Sequence, residues 1–252
     1  MTDPRDPSDP VSLARKLSAP ELIKRFYKRA ELSEEEGKYY LLLDGRRAHT
    51  PTKNRIFSPF QTLATALVEE WNKQGERIDP TAMPVTRLVN SAIDGVAPRI
   101  DDVRRDIEAY AGTDALCYRA EEPEGLVAEQ NRHWDPVLAW ADERLGARFT
   151  LACGIVPVDQ PAEALEAVRR LLAEVDEPFR IAGLHVATTI TGSAILALAL
   201  HSGEFDDDAL WAAAHVDEDW NIRQWGEDAE AKAGRTKRYL DFKAAALAIR
   251  GE

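Results

Sequence analysis

Twenty consecutive residues, Ile181 to Leu200, contain no Asp, Glu, Lys or Arg. Only a bilayer or the centre of a folded core accepts such a run. It holds His185, three threonines, Gly192 and Ser193, and neither an aromatic belt nor a basic cluster flanks it. Those features fit a buried helix, or a pair of helices, better than a membrane span. The run is therefore expected at the centre of a helical domain, and the sequence around it has to supply the faces that cover it.

Amphipathic helical patterns do surround it. Ser58-Pro59 reads as a cap followed by a first helical residue, after which Phe60, Leu63, Ala64, Leu67 and Trp71 form one stripe ending at Gly75. On that stripe Trp71 is expected to pack in the core. Pro84 opens a short helix that Gly95 stops, and Pro98 begins another with Ile100, Val103, Ile107 and Tyr110 inward. Residues 126–141 share a helical face that contains Asp135-Pro136, readable as a kink or as the cap of a new helix. Residues 149–156 read as a strand or an extended link, and residues 161–175 as an amphipathic helix. Asp207 is expected to cap a helix running through residue 228, with Gly234 separating it from a last helix at 235–250.

The N-terminal part follows a different period. Residues 25–57 have strand character, with turns at Glu34 to Gly37 and at Asp44-Gly45, the latter a strong hairpin signal. The fold class is thus α+β, a small N-terminal antiparallel β domain (21–58) followed by a larger all-helical domain (59–252). Residues 1–20, polar, acidic and Pro-rich, read as a disordered lead-in without the apolar stretch of a signal peptide.

Charge limits the partners. Forty-four acidic against 32 basic side chains give −12, which repels a polyanion and argues against nucleic acid. Only Cys117 and Cys153 occur, far apart, so no disulfide framework or zinc site is encoded. No histidine pair has metal-ligand spacing, and no phosphate-binding loop, dinucleotide fingerprint or nucleophile elbow is present. Ser193 reads as a small residue allowing close packing and not as a nucleophile. No metal, cofactor or catalytic group is expected. The rival reading is a hydrolase-like or small-molecule-binding enzyme in the helical domain, using His133, Asp135 and Glu218 as acid and base groups.

One stretch, Val216 to Asp228, stands out. Projected at 100° per residue, Trp211, Glu218, Ile222 and Trp225 share a stripe, which places a carboxylate on an apolar face, while Trp220 points to the opposite side. Glu218 is either a buried, paired carboxylate or a partner-facing one. Trp220, unneeded by its own helix's core, is a candidate interface anchor.

Many short motifs, in order, carry a resemblance. They include Arg25-Phe-Tyr-Lys28, the Leu-Asp-Gly-Arg run at 43–46, Thr50-Pro51 and Glu70-Trp71 with Gln74. Further along come Met83-Pro-Val-Thr-Arg-Leu88, Ala92-Ile-Asp94, Thr113-Asp114 and Cys117-Tyr-Arg119. Gln130 with Trp134-Asp-Pro136, Gly192-Ser193 and Trp225-Gly-Glu-Asp228 complete the series. Together they resemble the F-type ATP synthase assembly chaperones that bind the free alpha subunit. The resemblance implies a β-rich domain joined to a helical one, no catalysis and no cofactor. Its implied task is to hold the unassembled alpha subunit and shield its beta-facing surface until assembly. Glu218 matches the acidic position before the Trp-Gly pair that the family uses for function, with Asp217 and Asp219 as alternatives. Trp220 and Trp225 complete the candidate partner-binding set. Asn72 stands where the family usually has Asp, and a surface amide there is expected to matter little. A monomer is expected, in the bacterial cytoplasm, or in the mitochondrial matrix if the source is eukaryotic.

Overall fold

The computed structural model describes residues 22–154 and 157–251. The expected lead-in at 1–20 lies outside them. The β part is a small antiparallel sheet: β1 (Ala30–Glu35), β2 (Lys38–Leu43), β3 (Arg46–Arg47) and β4 (Phe57–Ser58), with β2 pairing all three others. Asp44 and Gly45 take φ of 49° and 77°, the left-handed pair that a tight hairpin turn needs to match strand twist. Strand pairing begins at Ala30, later than expected. Residues 22–28 instead lie beside the chain that follows the first helix, where Arg25 N–H donates to Glu76 O and Ile78 N–H to Ile23 O.

The helical part comprises α1 (Gln61–Asn72), α2 (Pro84–Ser91), α3 (Ile100–Ala111), α4 (Glu124–Trp140) and α5 (Ala162–Ala173). It continues with α6 (Pro178–Thr191), α7 (Ala194–Ser202), α8 (Asp207–Ala214), α9 (Val216–Trp225) and α10 (Ala229–Arg250). Ser58 lies in β4 and its hydroxyl accepts from Phe60 N–H, so α1 starts two residues later than the expected cap. The chain winds helically from α2 into α3 through 92–99, so Gly95 does not stop it. α4 runs through Pro136 without interruption. A two-residue parallel pairing joins Tyr118–Arg119 to Ala152–Cys153, which makes the middle of the 149–156 stretch a strand.

The uncharged run is a helix pair, α6 and α7, and it is the core. Ile181, Ala182, Leu184, Ala187 and every residue from Ser193 to Leu200 are buried. α10 lies along α6, while α3 and α8 flank the pair. Among the described residues no helix is long and apolar enough to cross a membrane. Ser193 is fully buried and caps α7, its hydroxyl accepting from Leu196 N–H at 3.0 Å.

Two helix boundaries differ from expectation at the stretch of greatest interest. The 207–228 helix breaks at His215 (φ −120°, ψ 19°), giving α8 and α9, and Asp206, not Asp207, caps α8. The chain then turns at Gly226, and α10 passes through Gly234 unbroken. The break at His215 changes the rotational phase of everything after it. Trp211 is buried and Trp225 is 87% exposed, so the two do not share a face.

Candidate functional site

Most motif residues make internal junctions. Glu70, on α1, accepts from Val85 N–H at 2.9 Å, Thr86 N–H at 2.8 Å and Thr86 Oγ1 at 2.5 Å. It thereby caps the otherwise unpaired start of α2. Burial outweighs these donors and holds its pKa above the ordinary carboxylate value. Asp114, fully buried, accepts from Ile195 N–H at 3.0 Å and Leu116 N–H at 3.1 Å, serving the start of α7 in the same way. Its burial pushes the pKa up to about 6. Asp44 accepts from the Lys28 and Arg29 backbone N–H groups, and Thr50 donates to Asp94 at 2.9 Å. Arg119 reaches Asn131 and Asp135, Gln130 accepts from Ala120 N–H, and Trp134 donates to Ala213 O at 2.7 Å.

Asn72 is a further junction. Its amide oxygen accepts from Ala30 N–H at 2.9 Å and its amide nitrogen donates to Ala30 O at 3.0 Å, closing the first residue of edge strand β1. An ionised Asp could only accept, so the amide matters more than its surface position suggested.

The region around α9 is built from the expected site residues in unequal roles. α9 buries only Val216 and is held from both sides by polar contacts. Towards α4, Asp217 accepts from Gln130 Nε2 at 2.7 Å, and Trp220 lies over Gly125, where an added Cβ would stand 2.6 Å from the ring. Trp220 is thus spent on its own fold, with Arg223 stacked 5.6 Å from its centroid. Towards α10, Asp219 pairs with Arg235 at 2.5 Å, and both Glu218 oxygens accept from Arg238, at 3.0 and 3.2 Å.

Glu218 is therefore not on a buried apolar face. Its side chain keeps 34% of its exposure and that of Arg238 keeps 44%. His215 Nε2 lies 3.8 Å away, but burial first of all holds that imidazole below its ordinary pKa, so it is neutral at pH 7. His215 instead stacks on Trp211 at 3.8 Å and hydrogen-bonds Trp211 O through Nδ1.

Beyond Glu218 a groove of about 480 Å³ opens between the end of α9 and the start of α10, lined by Ile222, Trp225, Glu227, Asp228 and Lys232 among others. Asp228 caps α10 through Glu230 and Ala231 N–H, and Glu227 pairs with Lys232 at 2.9 Å. Trp225 has no such duty.

The acid and base groups of the enzyme reading do not converge. His133 lies against Arg132 and Glu129, its pKa lowered by burial and then by Arg132; Asp135 belongs to Arg119 and Glu218 to Arg238. Burial pushes the Cys117 thiol up to about 12, which leaves it protonated and unreactive. Among the described residues no cluster of His, Cys, Asp and Glu could hold a metal ion.

Residues 24–142 match the family described as ATP12 chaperone protein. The solved structure of Atp12 from Paracoccus denitrificans superposes with a TM-score of 0.80 at 39% identity, covering 90% of this chain and 97% of that one. The Atu1473 protein of Agrobacterium tumefaciens superposes with a TM-score of 0.86 at 44% identity, covering 96% and 95%. Protein atp12, mitochondrial, of Schizosaccharomyces pombe is 22% identical over 221 residues, 82% of this chain and 76% of that protein. The class is that of a chaperone and not of an enzyme. The chain belongs to the ATP12 chaperone family, and its work is ATP synthase assembly.

Proposed function

We propose that the client is the free alpha subunit of the F-type ATP synthase, held so that its beta-facing surface stays covered until assembly. The client rests on the surface formed by the end of α9 and the start of α10. The observation that carries this reading is Trp225, 87% exposed beside an acidic groove and unused by the fold. Large aromatics are the side chains most enriched in interface hot spots. Trp225 and Glu218 face the client, while Asp217, Asp219 and Trp220 hold α9 in place. The protein acts in the bacterial cytoplasm, or in the mitochondrial matrix if its source is eukaryotic.

The test is co-purification with isolated alpha and beta subunits. Wild type should capture alpha selectively. Trp225→Ala should lose capture with an unchanged unfolding midpoint. Glu218→Gln gives up a partly exposed ion pair worth up to about 1 kcal/mol and should weaken capture without unfolding the protein. Glu218→Lys should weaken it further, by reversing the charge and repelling Arg238. Capture of neither subunit, or full capture by all three variants, would defeat the reading.

A further inference from the structure

Charge is distributed very unevenly along the chain. Residues 22–58 carry nine basic and five acidic side chains, a net +4, whereas residues 59–252 carry 20 basic and 35 acidic, a net −15. The sheet is a basic island on an acidic protein.

On that island lies a cleft of about 530 Å³ between the β2–β3 hairpin, the 26–27 segment and α1. Its inner side is aromatic and apolar: Tyr27 and Trp71 meet with centroids 5.4 Å apart, beside buried Leu43 and Ala48. Phe26 forms one wall, edge-on to Tyr27 at 5.5 Å, and remains 68% exposed. Ile23 of the same segment is also exposed. Trp71, half-buried and packed against the core as its stripe suggested, also lines the cleft, and its indole N–H is buried without a partner among the described residues.

Among the described residues the rim supplies one unpaired cation, Arg46. Arg46 is exposed and makes no ion pair among the described residues, and Arg47 is paired to Glu35 while stacking on Tyr40. Among the described residues Asp44 is the one acid lining the cleft, and its carboxylate is occupied by the Arg29 and Lys28 backbone N–H groups, which hold its pKa below the ordinary value. An occupant therefore meets the unpaired Arg46 at the rim and aromatic faces within.

We propose that this cleft is a second binding site of the chaperone, taking an acidic polypeptide segment in which an aromatic or large aliphatic side chain is flanked by Asp or Glu. The apolar side chain packs against Phe26, Tyr27 and Trp71, and a flanking carboxylate faces Arg46. This site lies on the sheet part and does not rest on the role given to Trp225 and Glu218.

The test uses the full chain and a blocked decapeptide with one Phe between pairs of Glu, titrated by calorimetry at low salt. Binding should be weakened about tenfold or more by Arg46→Glu, a charge reversal at the rim, and by Phe26→Ala, with unfolding midpoints unchanged. Arg170→Glu, the same charge change on exposed α5, should leave binding as it is. The matching peptide with Lys for Glu should not bind. Four results would overturn the proposal. These are no binding up to about 1 mM, equal loss on Arg170→Glu, equal binding of the Lys peptide, and binding only of phosphatidylglycerol vesicles or a single-stranded oligonucleotide.

Discussion

Replacing Glu70 by Gln keeps shape and volume and removes a charge that the start of α2 uses. The carboxylate serves three donors, Val85 N–H, Thr86 N–H and Thr86 Oγ1. Gln offers one oxygen. In its best orientation that oxygen keeps both Thr86 donors and turns the amide NH2 towards Val85 N–H, leaving a buried backbone donor unpaired at a cost of about 1–3 kcal/mol. The two surviving bonds lose their charge assistance, about 1 kcal/mol more between them. Against this, Gln avoids burying a carboxylate, the effect that raises the Glu70 pKa. That relief offsets part of the loss, and the net expectation is about 1–2 kcal/mol. Urea titrations at neutral pH, followed by circular dichroism and by tryptophan fluorescence, would measure it, with equal slopes showing that the transition stays comparable. The sign of the pH dependence follows from the raised pKa: the native protein holds this proton more tightly than the unfolded chain, so wild type's advantage should shrink as pH rises through that pKa. A midpoint within about 0.5 kcal/mol of wild type would refute the capping role.

Three further outcomes are expected. Asn72→Asp should destabilise by about 1–3 kcal/mol, because the carboxylate cannot donate to Ala30 O and repels it; equal urea midpoints would contradict this. Gly125→Ala should cost about 1–3 kcal/mol by pushing the Trp220 ring off α4, visible as faster hydrogen exchange in α9, and unchanged exchange would count against the packing. Asp114 titrates near 6 in the fold against 3.8 as the ordinary value, so its contribution is fully present below 3.8 and is lost as pH rises through 6. The stability of wild type relative to Asp114→Asn should fall by about 2 kcal/mol between pH 4 and 7, and a flat difference would refute it.

Local chemistry made part of this protein legible from its sequence. A hairpin at Asp44-Gly45 follows from two residues that tolerate positive φ, and a buried helix pair follows from twenty residues without charge, because neither depends on what lies far away in the chain. The reversal of charge between residues 22–58 and the remainder was equally readable, and it is the signal that could have pointed to the cleft at Phe26 and Arg46. Tertiary structure decided the environment of each carboxylate. The 100° projection assumed one helix from 207 to 228, and the break at His215 separates Trp211 from Trp225 and moves Glu218 off the apolar face. Its partner Arg238 lies twenty residues away on another helix. Asn72 became a strand clamp only because Ala30, 42 residues distant, lies across from it. Periodicity records which side of a helix is apolar; it carries no record of which donors arrive from other elements, and those donors decide whether a polar side chain builds the fold or is left to meet a partner.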